Sequence, residues 1–103
     1  MNTKDIRHRL STGDFEFSRH AFKRVIERNI SEEEIREADR KAELIEDYPD
    51  DKYLPSCLVL GFTGSHRPLH IQVCFSGATT VKIVTIYEPD PAEWIDLRVR
   101  RKP

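Results

Sequence analysis

The chain has 103 residues, with 17 Lys and Arg against 18 Asp and Glu for a formal net charge of -1. That near balance excludes a histone-like polycation and an acidic disordered tail, and the 38% hydrophobic and 34% charged shares describe a small, highly charged globule with room for one compact domain. No apolar run approaches the roughly 20 residues of a membrane span, and Met1-Asn2-Thr3-Lys4-Asp5 lacks the apolar stretch of a signal peptide, so the expectation is a cytoplasmic protein with no membrane partner.

Lys4 to Leu10 reads as a short helix stopped near Gly13, and Phe15 and Phe17, alternating with Asp14 and Glu16, as a brief strand or extended lead-in. Ser18 is placed to cap a helix over Arg19 to Asn29, with Ala21, Phe22, Val25 and Ile26 as the apolar stripe laid on the core. Ser31 with Glu34 three residues on is a capping-box pattern opening a short, exposed helix with Ile35, Ala38 and Ala42, ending near Lys41. The period then changes to two. Strands are predicted over Glu43 to Tyr48, Ser56 to Thr63, Leu69 to Phe75 and Thr79 to Tyr87, separated by a turn at Pro49-Asp50-Asp51-Lys52, a loop at Thr63 to Arg67 and a turn at Ser76-Gly77. Sequential strands with short connections pair antiparallel. The expected fold class is therefore α+β: N-terminal helices packed on one face of a four-stranded antiparallel sheet whose other face stays partly open. After Glu88 come Pro89 and Pro91, a single turn around Ala92 to Ile95, and a basic tail of Arg98, Val99, Arg100, Arg101 and Lys102.

The even total charge hides a polarised distribution. Residues 1–30 carry seven basic and four acidic groups (+3), residues 31–52 four and ten (-6), and residues 53–103 six and four (+2), so a polyanion could bind one side of the protein while another repels it. Cys57 and Cys74 are too few for a disulfide framework and read as small buried thiols, although a cross-strand bridge is conceivable if their strands pair.

Two groups of residues could carry chemistry. His20, Arg24 and Arg28, at i, i+4 and i+8, drift only about 80° around the helix axis and form one polar stripe, either a solvated basic face or a phosphate-contacting ridge. His70 alternates with Leu69, Ile71 and Val73, so it projects with Gln72 onto the open sheet face, where Tyr87 joins it if Val84 and Ile86 are buried. A His and a Tyr on a concave sheet with Arg67 at its mouth are the parts of a metal-independent phosphodiester-cleaving site, because imidazole moves protons near neutral pH and a guanidinium stabilises a charged phosphorane. The same residues also read as scattered polar groups on a wet face. His66 and His70 lack a further ligand at zinc spacing, Asp50-Asp51 near Glu46-Asp47 reads as a solvated turn, and there is no Gly-rich phosphate loop, so no metal and no cofactor is expected. Trp94, with Ile95 and Leu97, reads as a lid over the core edge.

Phe17 to Arg24, Asn29 to Ile35, Ile45 to Asp51, Leu58 to Gly61, Arg67 to Ile71 and Val84 to Pro91 together resemble the bacterial domain of unknown function 4258 family, over roughly residues 16–98. The resemblance implies a fold similar to the RelE/ParE and BrnT toxins of the barnase–EndoU–colicin–RelE group, and small cytoplasmic proteins encoded beside an antitoxin, several of which cleave RNA without metal. By that analogy His70 or His20 acts as general acid or base, Arg24 and Arg67 hold the scissile phosphate, and Tyr87 positions or donates a proton. Arg28, Lys82, Arg98, Arg100 and Arg101 are the candidate nucleic-acid contacts. The chain departs from a strongly basic ribosome-dependent nuclease in its net charge. Two expectations follow: a toxin-like endoribonuclease with RNA as substrate and an antitoxin as partner, or a non-catalytic protein- or RNA-binding module on the same fold. The oligomeric state is open.

Overall fold

A computed structural model of the chain describes residues 3–51, 54–76 and 80–102. Helix α1 spans Thr3–Thr12, strand β1 Phe15–Phe17, α2 Arg19–Glu27 and α3 Glu32–Ala38, followed by one 3-10 turn at Asp39–Lys41. Strands β2 (Glu43–Tyr48), β3 (Ser56–Phe62), β4 (Pro68–Ser76) and β5 (Thr80–Tyr87) come next, and β6 (Trp94–Ile95) and β7 (Val99–Arg100) close the chain. The expected turn at Gly77 and strand start at Thr79, like Lys52 of the preceding turn, lie outside the described residues.

The helix ends form where the side chains direct them. Gly13, at φ 80°, supplies the left-handed residue beyond α1. Ser18 accepts the Ala21 N–H at 3.0 Å and caps α2. Ser31 and Glu34 make both halves of a capping box at α3, side chain to backbone at 3.0 and 2.9 Å.

The α+β class holds, and the sheet differs from the expectation. It has five strands in the order β1-β5-β4-β3-β2, with β2 to β5 an antiparallel meander as predicted and β1 added parallel to β5, Phe15 opposite Val81 and Phe17 opposite Ile83. The sheet is therefore mixed. Parallel pairing is possible because two helices and three strands separate β1 from β5, ample chain for the crossover. The basic tail is not a free tail either. Trp94 and Ile95 pair antiparallel with Arg100 and Val99 in a second, two-stranded sheet.

The core lies between the helices and one sheet face: Ile6 and Leu10 of α1, Ala21 and Val25 of α2 and Ile35 and Ala38 of α3 close over Val59, Ile71, Val73, Val81, Ile83 and Ile86. Gly61 allows this approach, since a Cβ there would sit 2.1 Å from the Ala38 carbonyl oxygen. The α2 stripe is corrected: Phe22 and Ile26, expected in the core, are 56% and 66% exposed. Cys57 and Cys74 form no disulfide. Cys57 pairs with Val73 and Cys74 with Ser56, so the two thiols sit on opposite sheet faces and the conceivable bridge is ruled out by the pleat. Burial pushes the Cys57 thiol up to about 11.

Candidate functional site

The strand alternation places His70, Gln72 and Cys74 on the face away from the helices, as expected. What lies over that face is not as expected. The β6–β7 hairpin folds across its upper half, and His70 is 0% exposed. The indole of Trp94 meets the imidazole edge-on, ring centroids 4.4 Å apart, and Tyr87, directly opposite His70 in the β4–β5 register, meets it at 5.2 Å. His70 Nε2 lies 2.7 Å from the Leu97 carbonyl oxygen and Nδ1 lies 3.1 Å from the Tyr87 hydroxyl. A carbonyl oxygen can only accept, so Nε2 carries the proton and Nδ1 accepts from Tyr87. Burial holds the imidazole below its usual pKa and pushes the Tyr87 phenol up to about 12, so both are neutral at physiological pH. The open-face position assigned to His70 is thus corrected: this is a satisfied core histidine, and Trp94 is the lid that makes it one. Ile95, grouped with Trp94 in that lid, is 48% exposed.

The hairpin is held by the arginines read as nucleic-acid contacts. Arg98 donates to both Glu43 carboxylate oxygens at 3.0 and 2.9 Å and also pairs with Asp96. Arg100 donates to both Glu46 oxygens at 3.1 Å while its guanidinium carbon sits 4.7 Å over the Trp94 ring. Glu46 is also bonded by the Tyr48 hydroxyl. Asp96 and Leu97 at the hairpin tip have φ of 51° and 61°, a left-handed pair as in a type I′ turn. A Leu there costs about 1–2 kcal/mol, and the His70–Leu97 bond offsets it.

Arg67 is also tied into the fold. Its Nε reaches Glu88 at 3.3 Å, one terminal nitrogen reaches both Glu34 oxygens at 3.1 and 3.2 Å and the Asn29 carbonyl at 3.0 Å, and the other reaches the Arg28 carbonyl at 3.0 Å. It pins the α2–α3 turn to the start of β4, with its charge met by two carboxylates. The Ser31 backbone N–H and Arg67 together hold Glu34 below the usual carboxylate range.

His20 is exposed on α2, in the helical layer, and His70 is under the hairpin on the opposite sheet face. Arg24 pairs with Glu27 at 2.7 Å, and its Nε is buried without a hydrogen-bond partner among the described residues. The five catalytic candidates therefore split. His70 and Tyr87 touch each other, Arg67 and Tyr87 share a cleft of about 550 Å³ with Arg28, Glu88 and Glu93, and His20 and Arg24 stand apart.

Arg28 shows how this side of the sheet is built. Strand β1 covers β5 only through Ile83. Beyond it the β5 edge is met by the chain leading into α2 and by α2's end: Ser18 N–H donates to the Ile83 carbonyl at 2.9 Å and Arg28 to the Ile86 carbonyl at 2.6 Å. Arg28 bonds a neutral acceptor and forms no ion pair among the described residues, nor do Lys82, Arg101 and Lys102. Lys82 lines a cleft with Ser18 below Arg28, and Arg101 and Lys102 line one that shares Glu93 with the Arg28 cleft above it. These cations thus follow the β5 edge without ion pairs among the described residues, with Glu16 opposite Lys82 and Asp51, Glu88 and Glu93 lining the same clefts. The carboxylates of α3 and β2 (Glu32, Glu33, Glu37 and Asp47) lie towards the other end of the sheet, whereas Asp51 lines the Lys82 cleft.

Sequence reasoning missed Glu43 and Glu46 as partners of the tail arginines, and Asp39. A β-bulge between Leu44 and Glu46 brings Glu43 and Glu46 to one face three residues apart, which strict alternation hides. Among the described residues no group of three or more His, Cys, Asp or Glu could hold a metal ion, and no helix is long and apolar enough to cross a membrane.

The model of a family described as "Domain of unknown function (DUF4258)" matches residues 17–88. The chain belongs to the domain of unknown function 4258 family. No curated protein and no solved structure matches it. The match to domain 4258 runs from β1 to the end of β5 and so takes in His20, Arg24, Arg28, Arg67, His70, Lys82 and Tyr87, whereas the β6–β7 hairpin that covers His70 lies beyond it.

Proposed function

We propose that the protein is a non-catalytic RNA-binding module that holds the sugar-phosphate backbone along the β5 edge, through Arg28, Lys82, Arg101 and Lys102 beside the Tyr87 cleft. The observation that carries this reading is a division among the cations of this side of the protein: Arg67, Arg98 and Arg100, each on a carboxylate, fasten the fold, while Arg28, Lys82, Arg101 and Lys102, which form no ion pair among the described residues, follow the β5 edge. A polyanion gains from such a rim by releasing counterions, and the acidic end of the sheet fixes the direction from which it approaches. Cleavage would require an acid and a base at a surface. His70 has no exposed surface and both ring nitrogens engaged, and Tyr87 donates to it. On this reading any likeness to the RelE/ParE and BrnT toxins extends to architecture and not to their chemistry.

The test is fluorescence-anisotropy titration of a short single-stranded RNA over a salt series. Four phosphate contacts give a slope of log K against log salt near -3, at about -0.7 per contact. Lys82→Gln with Lys102→Gln, neither of which forms an ion pair among the described residues, is expected to weaken binding and reduce that slope to about half. Binding that ignores salt, or a double variant with the unaltered slope, would overturn the reading.

A further inference from the structure

Helix α2 carries more apolar surface than the core takes up. Ala21 and Val25 are 0% and 7% exposed, whereas their neighbours Phe22 and Ile26, one turn apart from each other, stand 56% and 66% exposed. Phe22 continues an aromatic ridge, its ring 6.2 Å from Phe17, which meets Phe15 edge-on at 5.5 Å. At the helical angle of about 100° per residue, Arg19 and Lys23 fall in the same arc of roughly 100° as Phe22 and Ile26, while His20, Arg24 and Arg28 lie on the opposite flank. Arg19 and Lys23 are exposed and form no ion pair among the described residues. The flank is therefore an apolar pair bordered by two exposed cations, with Glu27, which is paired with Arg24, one turn beyond Lys23.

We infer that this flank of α2 docks a partner polypeptide through an acidic amphipathic segment, apolar side chains resting on Phe22 and Ile26 and carboxylates meeting Arg19 and Lys23. Charge complementarity selects this occupant. Two copies of the chain meeting symmetrically here would bring Arg19 and Lys23 of one against those of the other. An RNA strand would satisfy the cations and leave Ile26 in contact with nothing it can stack on. The surface is separate from the β5 rim, so it stands or falls independently of the RNA reading.

The experiment is an NMR titration of the intact protein with a synthetic amphipathic helical peptide of Leu and Glu, and with its Leu and Lys counterpart. The Leu/Glu peptide is expected to shift backbone amides of β1 and α2 selectively and to bind at least about tenfold more tightly than the Leu/Lys peptide, a difference of roughly 1.4 kcal/mol. Phe22→Ser with Ile26→Ser, both at exposed positions, should abolish those shifts with the fold intact by amide dispersion and with RNA affinity unchanged. Equal binding of the two peptides, shifts that survive the double variant, or a concentration-dependent dimer that the double variant removes would each overturn the inference.

Discussion

Asp39→Asn is expected to stabilise the protein, most strongly at the alkaline end of the physiological range. Asp39 opens the 3-10 turn after α3, is 0% exposed, and neither of its carboxyl oxygens has a hydrogen-bond partner among the described residues. Burial pushes its pKa from 3.8 to about 8. At neutral pH the carboxyl is thus protonated in the folded chain and ionised in the unfolded one, so folding takes up a proton. The sign follows: the stability that Asp39 contributes is fullest below 3.8 and falls as pH rises towards 8, by about 1.4 kcal/mol per pH unit. Asn has nearly the same shape and no proton to take up. Its amide keeps unmade hydrogen bonds, so the gain is discounted to roughly 2–4 kcal/mol near the upper end of the window. Urea unfolding at several pH values between 3.8 and 8 checks it. The two proteins should converge in acid and diverge with rising pH, whereas parallel profiles would mean that Asp39 has a partner when folded.

His70→Ala is expected to cost about 3–4 kcal/mol of stability, through the cavity left under the indole and two buried polar groups left without a partner. The Leu97 carbonyl and the Tyr87 hydroxyl are those groups. Trp94 is the single tryptophan, so its emission reports hairpin docking directly and should shift to the red in the variant. The imidazole also predicts the acid behaviour of the wild type. Its folded pKa lies below 6.5, so the stability it contributes is present above 6.5 and is lost as pH falls through that value towards the folded pKa. Asp39 and His70 thus act in opposite directions on the pH profile, and each variant should remove one limb. A His70→Ala protein with unchanged unfolding midpoint and unchanged Trp94 emission would refute the buried position.

The meander and the three helices were legible because each rests on a local signal: the caps at Ser18 and Ser31, the switch to a two-residue period at Glu43, and the alternation of β4. Strand β1 was only half legible. Three residues carry too little pattern to fix a partner, and its parallel pairing with β5 is a long-range outcome of how α2 packs. The site was less legible than the fold. Alternation gave the face of His70 correctly and could not give what covers that face, because the β6–β7 hairpin consists of two-residue strands around a left-handed Asp96–Leu97 turn that has no glycine. Arg98, Val99, Arg100, Arg101 and Lys102 read as a free basic tail for the same reason. Only the structure pairs Arg98 with Glu43 and Arg100 with Glu46, more than fifty positions upstream, and so turns a presumed RNA contact into a fastening. The α2 stripe shows the converse limit: periodicity grouped Phe22 and Ile26 with Ala21 and Val25 as one core-facing stripe, and only the latter pair is buried.

The measurement that bears most directly on the whole account is incubation of single-stranded RNA with the purified protein in EDTA, at low salt and at a protein concentration where anisotropy shows the RNA bound. With His70 enclosed by Trp94, Tyr87 and Leu97, the RNA should be recovered at full length. Cleavage products that vanish with His70→Ala under conditions where that variant is folded would contradict it.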